Sequence, residues 1–99
     1  MIIYSVEILI SKDVSEKWLE WMHTKHIPDV INTSLFLQFK VYKNSETNNK
    51  VSYTIQYSTD KLINYLKYVK QYAKQLKEEH SKKFKSNFSA KRSLFIQTH

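Results

Sequence analysis

Apolar and polar side chains alternate along residues 2–10, with Ile2, Tyr4, Val6, Ile8 and Ile10 on one side and Ser5 and Glu7 on the other. A period of two marks a strand with one buried face. The period then lengthens to that of a helix, where Val14, Trp18, Trp21 and Met22 form one apolar stripe with Leu19 and His26 at its edge. Asp13, followed three residues later by Glu16, reads as a capping box that opens this helix near residue 14. Pro28 disfavours helical backbone at Ile27, so the helix is expected to end or break near His26, with Pro28 to Ile31 starting a short extra turn. Alternation resumes over residues 35–43, with Leu35, Leu37, Phe39 and Val41 inward and Gln38 and Lys40 outward. After a polar turn at residues 44–49, Val51, Tyr53, Ile55 and Tyr57 alternate with Ser52, Thr54, Gln56 and Ser58, completing a hairpin. A long helix is predicted over about residues 60–85, its stripe formed by Leu62, Leu66, Val69, Ala73, Leu76, His80 and Phe84. Residues 92–97 make a last strand.

The order β-α-β-β-α-β is the ferredoxin-like, split βαβ arrangement of the α+β class. It predicts a single domain over residues 1–99: a four-stranded antiparallel sheet with both helices on one face, as right-handed crossovers require. The other face then carries Ser5, Glu7, Gln38, Lys40, Ser52, Thr54, Gln56 and Gln97, with Phe36, Tyr42 and Phe95 among them. Such a face suits a polar, wet interface.

Composition narrows the chemistry. The chain has no glycine, and phosphate-cradling loops, dinucleotide fingerprints and nucleophile elbows all depend on glycine. It has no cysteine, which removes disulfides, thiol nucleophiles and thiolate metal sites and fits a reducing cytoplasm. No apolar run approaches the ~20 residues of a membrane span, and Met1 to Tyr4 read as strand rather than as a signal peptide. Charge is uneven. Residues 1–60 carry six lysines against seven acids, whereas residues 61–99 carry nine lysines and one arginine against two acids. A basic half invites nucleic acid, yet lysine outnumbers arginine fifteen to one, and arginine is the residue that reads phosphates and guanine edges in bidentate fashion. The ridge Lys67, Lys70, Lys74 and Lys77 is therefore read as a solvated face before a nucleic-acid site.

Trp18, Trp21 and Met22 have core spacing, so packing is their first reading and pocket lining their second. His26, where the helix breaks, can bond the last carbonyls or contact a ligand. His80 falls within the apolar stripe of the long helix, where a buried imidazole needs a hydrogen-bond partner; Tyr57 and Tyr53 are the expected ones. The functional alternative is that His26, His80 and these tyrosines converge on one cleft. His23, His26 and Asp29 could share a metal in principle, but His23 turns away from the core and Pro28 interrupts the helix, so no metal is expected. Tyr65, Tyr68 and Tyr72 form a ridge beside the apolar stripe, suited to an interface or a pocket rim and equally to partial burial in the core.

Several segments resemble the family of short bacterial proteins known as domain of unknown function 4286: Met1-Ile2-Ile3-Tyr4, Trp18-Leu19-Glu20-Trp21-Met22, His26-Ile27-Pro28-Asp29-Val30, Thr33-Ser34-Leu35-Phe36, Tyr53-Thr54-Ile55-Gln56-Tyr57, and Glu79-His80 near Phe84. The likeness extends over essentially the whole chain. It implies kinship with the dimeric α/β-barrel proteins, a group that includes cofactor-independent monooxygenases, isomerases and decyclases as well as members with no known activity. The resemblance thus implies a homodimer and a pocket between helices and sheet; it fixes no reaction. With the glycine-dependent cofactor loops missing, no cofactor is expected. The chain departs from the family at Ser34, where glycine is usual, and at Tyr72 and Lys74, where histidine and proline are frequent.

Three functions are compatible with these features. The first is a homodimeric binding or structural module without chemistry of its own, consistent with the missing nucleophiles, cofactor loops and carboxylate pairs. The second is a cofactor-independent enzyme acting on a small aromatic or carbonyl substrate through Trp21, His26, Tyr57 and His80. The third is weak nucleic-acid binding through the basic C-terminal half.

Overall fold

The computed structural model describes all 99 residues. Four strands form one antiparallel sheet in the order β2-β3-β1-β4: β1 Ile2–Ser11, β2 Gln38–Glu46, β3 Lys50–Thr59 and β4 Phe88–Ile96. Two helical rods cover one face of it. The first comprises α1 Lys12–Trp21, a π turn Met22–His26 and α2 Ile27–Ile31; the second comprises α3 Leu62–Tyr68, a π turn Val69–Ala73 and α4 Lys74–Phe84. This is the ferredoxin-like α+β arrangement that the patterning predicts.

The central strands carry the core. Ile2, Tyr4, Ile8 and Ile10 of β1 lie beside Thr59, Tyr57, Tyr53 and Val51 of β3, and all eight are buried. Trp18, Met22, Ile27 and Val30 seal the first rod against them, while Tyr68, Ala73, Leu76, His80 and Phe84 seal the second.

Pro28 does not stop the first helix. Ile27 keeps helical angles (φ −62°, ψ −46°), and its N–H donates to the carbonyl of Met22, five residues back rather than four. The wider π turn absorbs one extra residue and sets Pro28 in the first turn of α2, where its missing N–H costs nothing. No capping box forms at the start of α1: Ser11 occupies the cap position, and Ser15 Oγ donates to the Lys12 carbonyl at 2.8 Å.

The second π turn rotates the buried face of the long helix. A five-residue step from Tyr68 to Ala73 replaces the usual three or four, so Tyr65 and Tyr68 lead the inward row. Leu62, Leu66 and Val69, expected inward, are about half exposed. Within β2 the expected phase holds, Phe39 and Val41 lying opposite Tyr57 and Ile55, but it fails just before the strand. A bend at Leu37 precedes the strand, so Phe36 is buried at 4 % exposure while Leu37 is 62 % exposed. Phe36 therefore belongs to the core and not to an interface on the outer sheet face. The last strand starts four residues earlier than the sequence suggests, with Phe88, Ala90, Arg92, Leu94 and Ile96 on the helix side. No helix is long and apolar enough to cross a membrane.

Candidate functional site

Between the first π turn, α4 and the sheet lies a cavity of about 30 Å³, room for roughly two water molecules. Its floor is Val6, Ile8 and Ile55. Met22, His26 and His80 wall one side, Tyr4, Tyr57 and Tyr68 the other, and Lys77 and Arg92 complete the lining. Lys77 and Arg92 are the two exposed lining residues, so the cavity opens between α4 and β4.

The site follows from local structure. Met22 and His26 are the first and last residues of the π turn, and the extra residue in that turn brings both side chains to the same cavity. π turns of this kind recur at functional sites because they re-aim side chains without breaking the helix. Tyr68 immediately precedes the second one.

His80 sits in an aromatic cage. Its ring centroid lies 4.3 Å from Phe88, 5.4 Å from Phe84, 5.7 Å from Trp21 and 5.8 Å from His26. Its hydrogen-bond partner is Trp18 rather than a tyrosine: the indole Nε1–H donates to His80 Nε2 at 2.8 Å. With that lone pair occupied, the neutral ring carries its proton on Nδ1. Burial pushes the His80 pKa down to about 4, helped by His26 and Arg92 nearby. Burial likewise pulls His26 down to about 4; Asp29 opposes the shift, and Arg92 and Lys25 add to it. Both imidazoles are neutral at pH 7.

Two buried polar atoms on the lining residues have no partner: His26 Nδ1 and the Tyr57 hydroxyl. Unpaired buried groups are few in folded proteins, and each costs about 1–3 kcal/mol. Burial raises the Tyr57 pKa well above the ordinary tyrosine value, with Tyr68 and Tyr4 adding to the effect. Tyr68 and Tyr4 are also raised by burial, and at Tyr4 the Arg92 guanidinium opposes the rise.

Of the pocket candidates singled out from sequence, Met22, His26, Tyr57 and His80 line this one cavity. Trp18 and Trp21 stand behind it, Trp18 bonding His80 and Trp21 packing on His26 at 5.3 Å. Tyr68 is buried in the wall rather than on an outer ridge, and Tyr65 is half-buried against Tyr4. Tyr72 rims a shallow groove between the rods with Lys25, Asp29 and Gln75. Tyr42 and Phe95 are exposed on the outer sheet face, where the alternation places them. Lys67, Lys70 and Lys74 are exposed, but Lys77 belongs to the cavity mouth. His23 is exposed and Asp29 is held by Lys25 Nζ at 2.7 Å, so the three residues considered for a metal do not converge.

Arg92 is a lining residue that sequence reasoning missed. A signal for it exists: it is the only arginine in the chain, and it sits in the inward row of β4 beside apolar Ala90 and Leu94.

A family model described as "Domain of unknown function (DUF4286)" matches residues 1–98. No curated protein sequence matches the chain. Among solved structures, a dimeric ferredoxin-like protein from an uncultured marine organism superposes with TM-score 0.71 at 14% identity, covering 100% of this chain and 96% of that one. A provisionally described antibiotic biosynthesis monooxygenase from Deinococcus radiodurans gives TM-score 0.70 at 12% identity, covering 100% and 94%. SnoaB, a cofactor-independent oxygenase from Streptomyces nogalater, gives 0.65 at 8% identity, covering 99% and 94%. At such identities the likeness is one of fold.

Proposed function

For a chain that belongs to the family described as Domain of unknown function (DUF4286), we propose the role of a homodimeric small-molecule binding protein whose ligand enters the cavity beside His26, His80 and Tyr57. One observation carries this reading: His26 Nδ1 and the Tyr57 hydroxyl are buried, unpartnered and on the wall of the same cavity. A ligand that bonds both would relieve a cost that packing leaves in place.

Binding without chemistry is favoured over catalysis by the same electrostatics. A general base works best with a pKa near the working pH, and an imidazole held at about 4 is a weak one. Tyr57, shifted upward, is a correspondingly poor acid. The enzymatic alternative takes its support from the cofactor-independent oxygenase among the structural neighbours. It requires a bound substrate to raise His26 or His80 toward neutrality.

The dimer is supported by neighbours described as dimeric ferredoxin-like proteins and by the outer sheet face. Leu9, Tyr42 and Phe95 are exposed there, Phe95 directly opposite Ile3 on the adjacent strand. Ser5, Ser52 and Ser58 on this face are already buried, while exposed Glu7, Lys40 and Lys91 would make the contact a polar, wet one.

A nuclear magnetic resonance screen of small acids, amides and alcohols tests the binding role. Compounds that bind should shift the His26 and Tyr57 resonances together. A screen in which bound compounds perturb only surface resonances, leaving both unmoved, would contradict it.

A further inference from the structure

The cavity mouth is cationic with nothing to neutralise it. Arg92 and Lys77 both line the cavity, and its remaining nine residues include no aspartate or glutamate. The chain's three ion pairs are Lys12–Glu46, Lys25–Asp29 and Lys43–Glu46, so neither mouth cation is engaged in one. Arg92 is also out of place for a solubilising charge. It projects from the helix side of β4, opposite Val6 and between Ala90 and Leu94, where the strand pattern calls for an apolar residue. A chain with fifteen lysines uses its single arginine here. Arginine differs from lysine in its planar fork of donors, which matches the two oxygens of a carboxylate.

We propose, building on the binding role above, that the ligand is a short-chain carboxylate, its carboxylate held between Arg92 and Lys77 and its tail in the cavity. The size of the tail follows from the volume. About 30 Å³, the space of roughly two waters, admits about three carbon atoms and not an aromatic ring. The walls suit an unsaturated tail: the aromatic residues Tyr4, Tyr57, Tyr68, His26 and His80 line the space, and the floor is aliphatic. A carbonyl or hydroxyl on the tail would reach the unpaired His26 Nδ1 or Tyr57 hydroxyl. With both imidazoles neutral and no carboxylate in the lining, nothing inside repels the anion.

Crotonate is the probe, and crotonamide, equal in shape but uncharged, is its control. Titrations of the intact protein are followed by the His26, His80 and Tyr57 resonances. Crotonate should bind at least about tenfold more tightly than crotonamide, and Arg92→Gln should weaken it by about tenfold or more. Arg92→Lys, which keeps the charge and loses the fork, should restore part of the affinity. Lys77→Gln should weaken crotonate to a lesser degree. Both side chains are exposed, so these variants leave the core intact, and a thermal melt checks that. Crotonamide binding as tightly as crotonate, or Arg92→Gln binding like the wild type, overturns the carboxylate assignment and leaves the cavity's binding role standing. No shift of His26 or Tyr57 with either compound likewise overturns the carboxylate assignment, and the binding role then stands or falls with the wider screen.

Discussion

Trp18 Nε1–H donates to His80 Nε2 at 2.8 Å across 62 residues of sequence, joining the first helical rod to the second behind the cavity. Trp18 is fully buried and His80 is 6 % exposed, so neither group has water as an alternative partner. The bond favours the neutral ring that burial already imposes and fixes which nitrogen carries the proton.

Trp18→Phe should keep most of the packing and lose the donor. The expected cost is about 2 kcal/mol, from an imidazole acceptor left unpaired in an aromatic cage. Because the bond stabilises the neutral ring, the His80 pKa should rise, while burial, His26 and Arg92 still hold it below the ordinary histidine value. Urea unfolding and a histidine-detected pH titration measure the two effects.

The same imidazoles predict an acid-labile fold. Both have pKa values lowered from 6.5 to about 4, so between these limits the unfolded chain binds more protons than the folded one. Stability is therefore full above pH 6.5 and falls as the pH drops toward 4. For one imidazole the full loss is on the order of 3 kcal/mol, less for the partly exposed His26. Chemical denaturation at pH 7.5 and pH 4.5 should show the difference, and His80→Gln should reduce it.

Ser34 adopts a left-handed conformation with φ 64°, immediately after the helix-ending turn in which Thr33 Oγ1 donates to the Val30 carbonyl. A side chain at such a position costs about 1–2 kcal/mol relative to glycine, partly offset by glycine's freedom in the unfolded chain. Ser34→Gly should raise stability by about 0.5–1 kcal/mol, and Ser34→Ala should not. Equilibrium unfolding of both variants decides the matter.

Phe95→Glu places a charge on the outer sheet face, opposite Ile3. If that face joins two copies, the variant should sediment as the 11.9 kDa chain while the wild type sediments at twice that mass. The helix-side cavity should be unchanged, so His80 resonances should stay in place.

How far the sequence could be read depended on whether local periodicity survived in three dimensions. The alternation of β1 and β3 did, because both are central strands with one face fully buried. In the rods it survived along the first, through Val14, Trp18, Trp21 and Met22, and in the second from Ala73 onward; it failed only before the second π turn, which advances the helical phase by one residue and leaves no composition mark. The five-residue step from Tyr68 to Ala73 becomes meaningful only once Tyr65 and Tyr68 are seen facing inward. Phe36 and Leu37 exchanged roles because the bend before β2 interrupts the alternation. The imidazole side of the site was legible, since His26 and His80 stood out against apolar stripes. Arg92 was not: it occupies a core-facing position on an edge strand, and its charge hid the alternation that begins at Phe88.

The binding role requires that Tyr57 be kept for a ligand rather than for the fold, and Tyr57→Phe tests that most directly. The hydroxyl has no partner within the protein, so its removal should leave the melting temperature unchanged or raised while compounds that shift His26 in the wild type bind the variant more weakly. A variant destabilised by about 2 kcal/mol or more, with ligand binding intact, would show that the hydroxyl serves the fold and would contradict the binding role.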